Sequence, residues 1–170
     1  MYLCGMANNP ILFHEKQRFP KWLLLLLFLP AIVSAVVVWR YVETGEEPAS
    51  LVGLGVAFLV GLFMSFITLE STLTTENILV RFFPFVSKTK VFSFDNIESV
   101  DVITYKPIRE YGGWGLRRGK TGLAYNVSGK QGVLITFKEA QKSFWGSHKT
   151  LLIGTQKPDA WREALKSTGQ

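Results

Sequence analysis

Cysteine is nearly absent: of 170 residues only Cys4 carries a thiol. An internal disulfide is therefore excluded, and so is a metal cluster built from cysteines. Histidine is almost as scarce, with His14 and His148 alone. The sequence holds no HExxH, no GxSxG and no zinc spacing. Gly112-Gly113-Trp114-Gly115 is rich in glycine, yet it lacks the strand-loop-helix context of a phosphate loop. These gaps point away from an enzyme, and no cofactor and no metal is expected.

Charge is missing from two stretches. The run 22–41 has 17 uncharged residues between Trp22 and Arg40. At about 1.5 Å rise per residue it nearly crosses a hydrocarbon layer of roughly 30 Å. Trp22, Trp39 and Tyr41 stand at its ends, where amphipathic rings favour headgroups, and Pro30 interrupts its middle. The run 51–69 is free of ionisable groups until Glu70. Gly53, Ala57, Gly61 and Ser65 recur along it every four residues. Such a stripe of small side chains suits close helix packing, either within a hairpin or between two copies of the chain. The sequence thus predicts a two-helix transmembrane hairpin over 21–69, integral to a lipid bilayer.

The short link 42–50 carries three glutamates and no lysine or arginine. Lys16, Arg18 and Lys21 precede the first run, and Arg81, Lys88 and Lys90 follow the second. By the positive-inside rule both termini are expected in the cytoplasm, making a multi-pass protein. Leu3-Cys4-Gly5 is similar to the end of a lipoprotein cleavage site, but no basic-then-apolar segment precedes it. Residues 1–20 are therefore read as a cytoplasmic tail.

The remaining charge lies beyond. Lys and Arg total 19 against 13 Asp and Glu, and the first 69 residues carry four of each. The net charge of +6 thus belongs entirely to residues 70–170. There the apolar period changes to two, with β-type runs at 71–75, 78–83, 90–94, 97–105, 123–127, 132–138 and 150–154. Residues 106–122, with five glycines and a proline, read as a loop, and 140–148 as a turn or loop. The chain closes on a helix over 158–168, with Pro158 at its start and Trp161, Ala164 and Leu165 on one stripe. The expected architecture is an α+β membrane protein: the hairpin, then a small antiparallel β-barrel or sandwich capped by the C-terminal helix.

The segments 105–115, 124–129 and 153–158, with the strand order and closing helix, resemble an uncharacterised group of bacterial membrane proteins. In that group two N-terminal helices precede a pleckstrin-homology-like domain. The resemblance spans roughly 15–168. It implies a bacterial cytoplasmic membrane and a binding-type scaffold, and it brings no activity, ligand or site with it.

One segment gathers cations and aromatics: Lys106, Arg109, Arg117, Arg118 and Lys120 with Tyr111 and Trp114, against Glu110 alone. Anionic lipid headgroups, a protein partner or a small ligand would suit it. Against this stands a structural reading, in which the two rings pack under the β-layer and the arginines are merely solvated. Tyr125 and Asn126 are candidates for a polar contact to the same loop. The basic residues form no stripe interleaved with stacking rings, so nucleic acid is not an expected partner. The function expected is a non-enzymatic, membrane-tethered binding or scaffolding module, with anionic-lipid or envelope sensing through 106–120 as the alternative.

Overall fold

Side chains that alternate between inside and outside govern most of the chain from Thr68 on, and a period of two builds sheets. The computed structural model describes residues 10–22, 25, 29, 32, 35, 36, 39, 50–119, 122–143 and 146–168. Strand β1 spans Ile11–Arg18, β2 Thr68–Thr74, β3 Asn77–Phe83 and β4 Val86–Ser93. They form one sheet in the order β1-β2-β3-β4. A 3-10 turn at Phe94–Asn96 leads to β5, Ile97–Thr104. Beyond it come helix α2 (Pro107–Tyr111), β6 (Gly115–Arg118), β7 (Leu123–Asn126), β8 (Gln131–Ser143) and β9 (Gly146–Gly154). The five strands make a second sheet in the order β5-β8-β9-β7-β6. Helix α1, Ser50–Phe66, precedes β2, and helix α3, Pro158–Ser167, closes the chain.

The inward positions are filled by Leu69, Leu73, Ile78, Val80 and Phe82 from the first sheet and Val133, Ile135, Phe137, Leu151 and Ile153 from the second. Phe82 stacks on Tyr125 with ring centroids 5.8 Å apart, and Phe92 meets Phe137 at 5.1 Å, so aromatic contacts join the two layers. Helix α3 buries Trp161, Ala164 and Leu165, and Trp161 lies 5.0 Å from the Phe13 ring of β1. The pair β7–β9 runs parallel, where an antiparallel arrangement throughout was expected.

Strand β1 lies within the expected tail. It is fastened to β2 by a hydrogen bond between His14 Nδ1 and Thr72 Oγ1 at 2.8 Å and by an ion pair of Lys16 with Glu70 at 2.6 Å. Two steps up one strand match two steps down the other, so the pair is antiparallel. The opposite face turns Glu15 and Gln17 inward, and both are buried. Glu15 accepts from Thr155 Oγ1 at 2.7 Å and from the Gln156 backbone N–H at 2.9 Å, while Gln17 Nε2 donates to the Gly154 carbonyl at 2.7 Å. The β unit is therefore discontinuous in sequence: β1 joins everything from Thr68 on, and Arg18–Ile67 forms a second compact unit between them.

The expected α+β membrane architecture is corrected. Among the described residues strand predominates, and no helix there is long and apolar enough to cross a membrane. Most of the first expected helix, 22–41, lies outside the described residues, which are helical at Trp22, Leu25, Leu29, Ile32, Ala35, Val36 and Trp39. The second was expected to run to residue 69, but α1 ends at Phe66. Thr68 and Leu69 are the first rungs of β2, paired with Phe83 and Phe82. The uninterrupted apolar run had merged a helix with a strand. The 17 residues left to α1 span only about 25 Å at the α-helical rise. The expected placement as a multi-pass protein of the bacterial cell membrane, with both termini cytoplasmic, falls with that hairpin. In the small-residue stripe Gly61 is buried and Ser65 is exposed, its hydroxyl donating to the Leu62 carbonyl at 2.6 Å.

Candidate functional site

Residues 106–118, expected as a loop, are built as a helical turn and a strand. Pro107 supplies the fixed backbone angle suited to a helix start. The Lys106 N–H donates to Glu110 Oε1 at 3.1 Å, which ties the first turn to its end. Gly112 ends the helix in the left-handed region at φ 73°, with its N–H on the Ile108 carbonyl at 3.0 Å. A side chain at this position would be strained, which is why glycine terminates so many helices. Tyr111 is buried and meets Tyr105 edge-on at 5.8 Å.

The glycines that made this stretch look irregular thus mark a cap, and β6 follows immediately. Asn126 ties β6 to the layer beneath, as its Oδ1 accepts from the Gly115 N–H at 2.9 Å while its Nδ2 donates to Tyr105 Oη at 3.0 Å. Burial pushes the Tyr105 phenol up to about 12, the bond from Asn126 acting in the opposite direction and nearby Tyr111 and Glu110 reinforcing the rise. Burial likewise raises Tyr125 to about 12. Both phenols stay protonated and act as structural groups. Of the two expected polar contacts to the 106–120 segment, Asn126 makes one; Tyr125 stacks on Phe82 instead.

The candidate residues therefore separate. Tyr111 is a core ring. Trp114 is half-buried, its indole N–H donating to the Gly129 carbonyl at 3.2 Å. Arg117 Nε donates to the Trp114 carbonyl, and Arg118 Nη2 to the Ser147 carbonyl, each at 3.2 Å. Lys106 and Arg109 are exposed on either side of Ile108, which stands 71% exposed on a turn whose two ends are pinned. Lys120 and Trp145 lie outside the described residues.

His148, expected in a loop, is a buried residue of β9. The β8–β9 pairing resumes beyond an irregularity between Thr136 and Gln141, with Gln141 opposite His148 and Ser143 opposite Gly146. The polar text of 139–143 hid this extension, since nothing in it alternates. His148 stands edge-on to Phe137 at 6.2 Å. Burial lowers its pKa below the ordinary value; a hydrogen bond to the Gly146 backbone opposes this, and the charges of Lys90 and Arg118 add to it.

No protein-family model matches the sequence, and no curated protein matches it.

Proposed function

We propose that the β unit is a non-enzymatic binding module whose contact surface is the pinned turn carrying Ile108, with Arg109 and Arg117, and that its partner is a protein with an apolar pocket rimmed by acidic residues. The carrying observation is Ile108. A large aliphatic side chain at 71% exposure is unremarked on a mobile loop, but here it sits on a turn fixed by a bonded start, a buried Tyr111 and a glycine cap. Holding an anchor in place before binding spares the ordering cost that otherwise weakens an interface. Flanking cations favour an acidic partner through faster encounter and correct register. The resemblance of 105–115, 124–129 and 153–158 to a group of proteins that carry a pleckstrin-homology-like domain is in keeping with this reading, because such domains generally serve as binding modules.

A photo-crosslinking residue placed at position 108 of the full chain, in native cells, tests this. One discrete protein adduct is expected, lost when Arg109 and Arg117 are both changed to Glu, and absent from a probe at Arg162 on α3. Equal labelling from both probe positions, or adducts indifferent to the charge reversals, would remove the assignment.

A further inference from the structure

Two cations from two different strands act on a histidine of a third near the outer end of the β8–β9 hairpin. Lys90 pairs with Val80, and Phe92 with Ile78. Cross-strand partners share a face, so Lys90 lies on the side of β4 where Val80 and Ile78 are buried. It is half-buried there, and loss of water lowers its pKa. Two residues along the same face, Phe92 packs on Phe137 at 5.1 Å, and Phe137 in turn carries His148 at 6.2 Å. From the other side Arg118 reaches over the hairpin to the Ser147 carbonyl. Gly146 makes room for it, because a Cβ at that position would stand 2.8 Å from Arg118 Nη1.

The ion pairs among the described residues use Lys16, Arg81, Lys149 and Arg162, and none of them reaches this cluster. A half-buried ammonium and a guanidinium that both act on a buried imidazole, neither of them in an ion pair among the described residues, are electrostatically unfavourable neighbours. A bound anion adds an attraction to each of them that offsets this mutual repulsion.

We propose that Lys90, Arg118 and His148 hold a phosphoryl oxyanion at this end of the β unit. A guanidinium fork, an ammonium and an imidazole approaching from separate strands suit a tetrahedral, doubly charged group better than a planar carboxylate. The inference is independent of the Ile108 surface, since it shares no side chain with it. A lysine on the inward face of an edge strand has one other use, to discourage edge-to-edge pairing. That use calls for neither Arg118 nor His148.

Imidazole proton resonances of the full chain decide between them, His14 being assigned by a His14→Asn variant. Inorganic phosphate, compared with chloride at equal ionic strength, should shift the His148 resonances saturably and raise that residue's pKa. Lys90→Gln should weaken the apparent affinity at least tenfold. Arg118→Gln should do the same, and because its side chain is exposed it leaves folding out of question. Glycerol phosphate binding more tightly than inorganic phosphate would identify a phosphorylated small molecule as the ligand class, and equal binding would identify free phosphate. Shifts that fail to saturate, match those in chloride, or survive both substitutions would overturn the site and leave Lys90 as an edge guard.

Discussion

Helices α1 and α3 are held by opposite arrangements. In α3 the apolar residues occupy one stripe, with Trp161, Ala164 and Leu165 buried while Asp159, Arg162, Glu163 and Lys166 face out. Along α1 exposed apolar side chains follow one another around the axis, at Val56, Phe58, Leu59, Val60, Leu62, Phe63 and Phe66. Helix α3 encodes where it packs; α1 encodes only that it is apolar. Amphipathic spacing carries positional information that mean hydropathy does not. Reading a location from the apolar run of α1 therefore failed, while the three-residue stripe of α3 located its buried face.

The largest expected contrast is between truncations on the two helices. Trp161→Ala should cost about 3–5 kcal/mol in denaturant unfolding, because it empties a fully enclosed site. Leu59→Ala, at a 63% exposed position, should stay within about 0.5 kcal/mol. Equal losses would abolish the distinction between a committed and an uncommitted apolar face. Trp161→Phe sharpens it: the indole N–H is buried without an acceptor, so removing that donor offsets part of the lost volume and the cost should fall well below that of alanine.

A smaller effect is expected where polar rather than apolar groups fasten the fold. Glu15→Ala leaves the buried Thr155 hydroxyl and the part-buried Gln156 N–H without their acceptor, a loss of about 1–3 kcal/mol. The contribution from acidification is smaller again. Because burial depresses the pKa of His148, the unfolded chain takes up its proton first as the pH falls past about 6.5. Stability is then full above that value and declines below it toward the folded pKa. The unfolding midpoint followed from about pH 7.5 to 5.5 should show this slope, and His148→Gln should flatten it. Glu70, lowered chiefly by its bond to Lys16, adds its own loss only in more acidic solution, as the pH falls below 4.5. Least of all should matter the exposed Arg162–Asp159 pair, 2.7 Å apart on α3. Arg162→Ala is expected to change stability by less than about 0.5 kcal/mol by thermal melting.

Sequence alternation revealed strands where the buried face was apolar. The run 78–83 falls within β3 and 132–138 within β8, since Ile78, Val80 and Phe82, and Val133, Ile135 and Phe137, all point inward. It missed β1 because that strand's inward face carries Glu15 and Gln17, which read as solvated charge and polarity. Burial there follows from hydrogen bonds to residues 137–141 positions away, which no local pattern discloses. The cationic cluster was hidden for the same reason. Lys90, Arg118 and His148 are remote in sequence, and only sheet order and the interrupted β8–β9 register place them together. Of the basic segment, its residue content was legible and its rigidity was not, because glycines at a helix cap and glycines in a mobile loop are spelled alike.

The latch between Glu15 and Thr155 also sets a timetable for the newborn chain. Strand β1 leaves the ribosome well ahead of its partner, and its acceptor waits for a hydroxyl 140 residues later. At ordinary rates of synthesis that interval is on the order of ten seconds. Throughout it, the inward carboxylate of β1 is hydrated rather than enclosed, even once β1 has paired with β2. The β unit consequently closes only once Thr155 has been made, and a chain truncated before Thr155 would keep its first strand unlatched however well the intervening hairpins had formed.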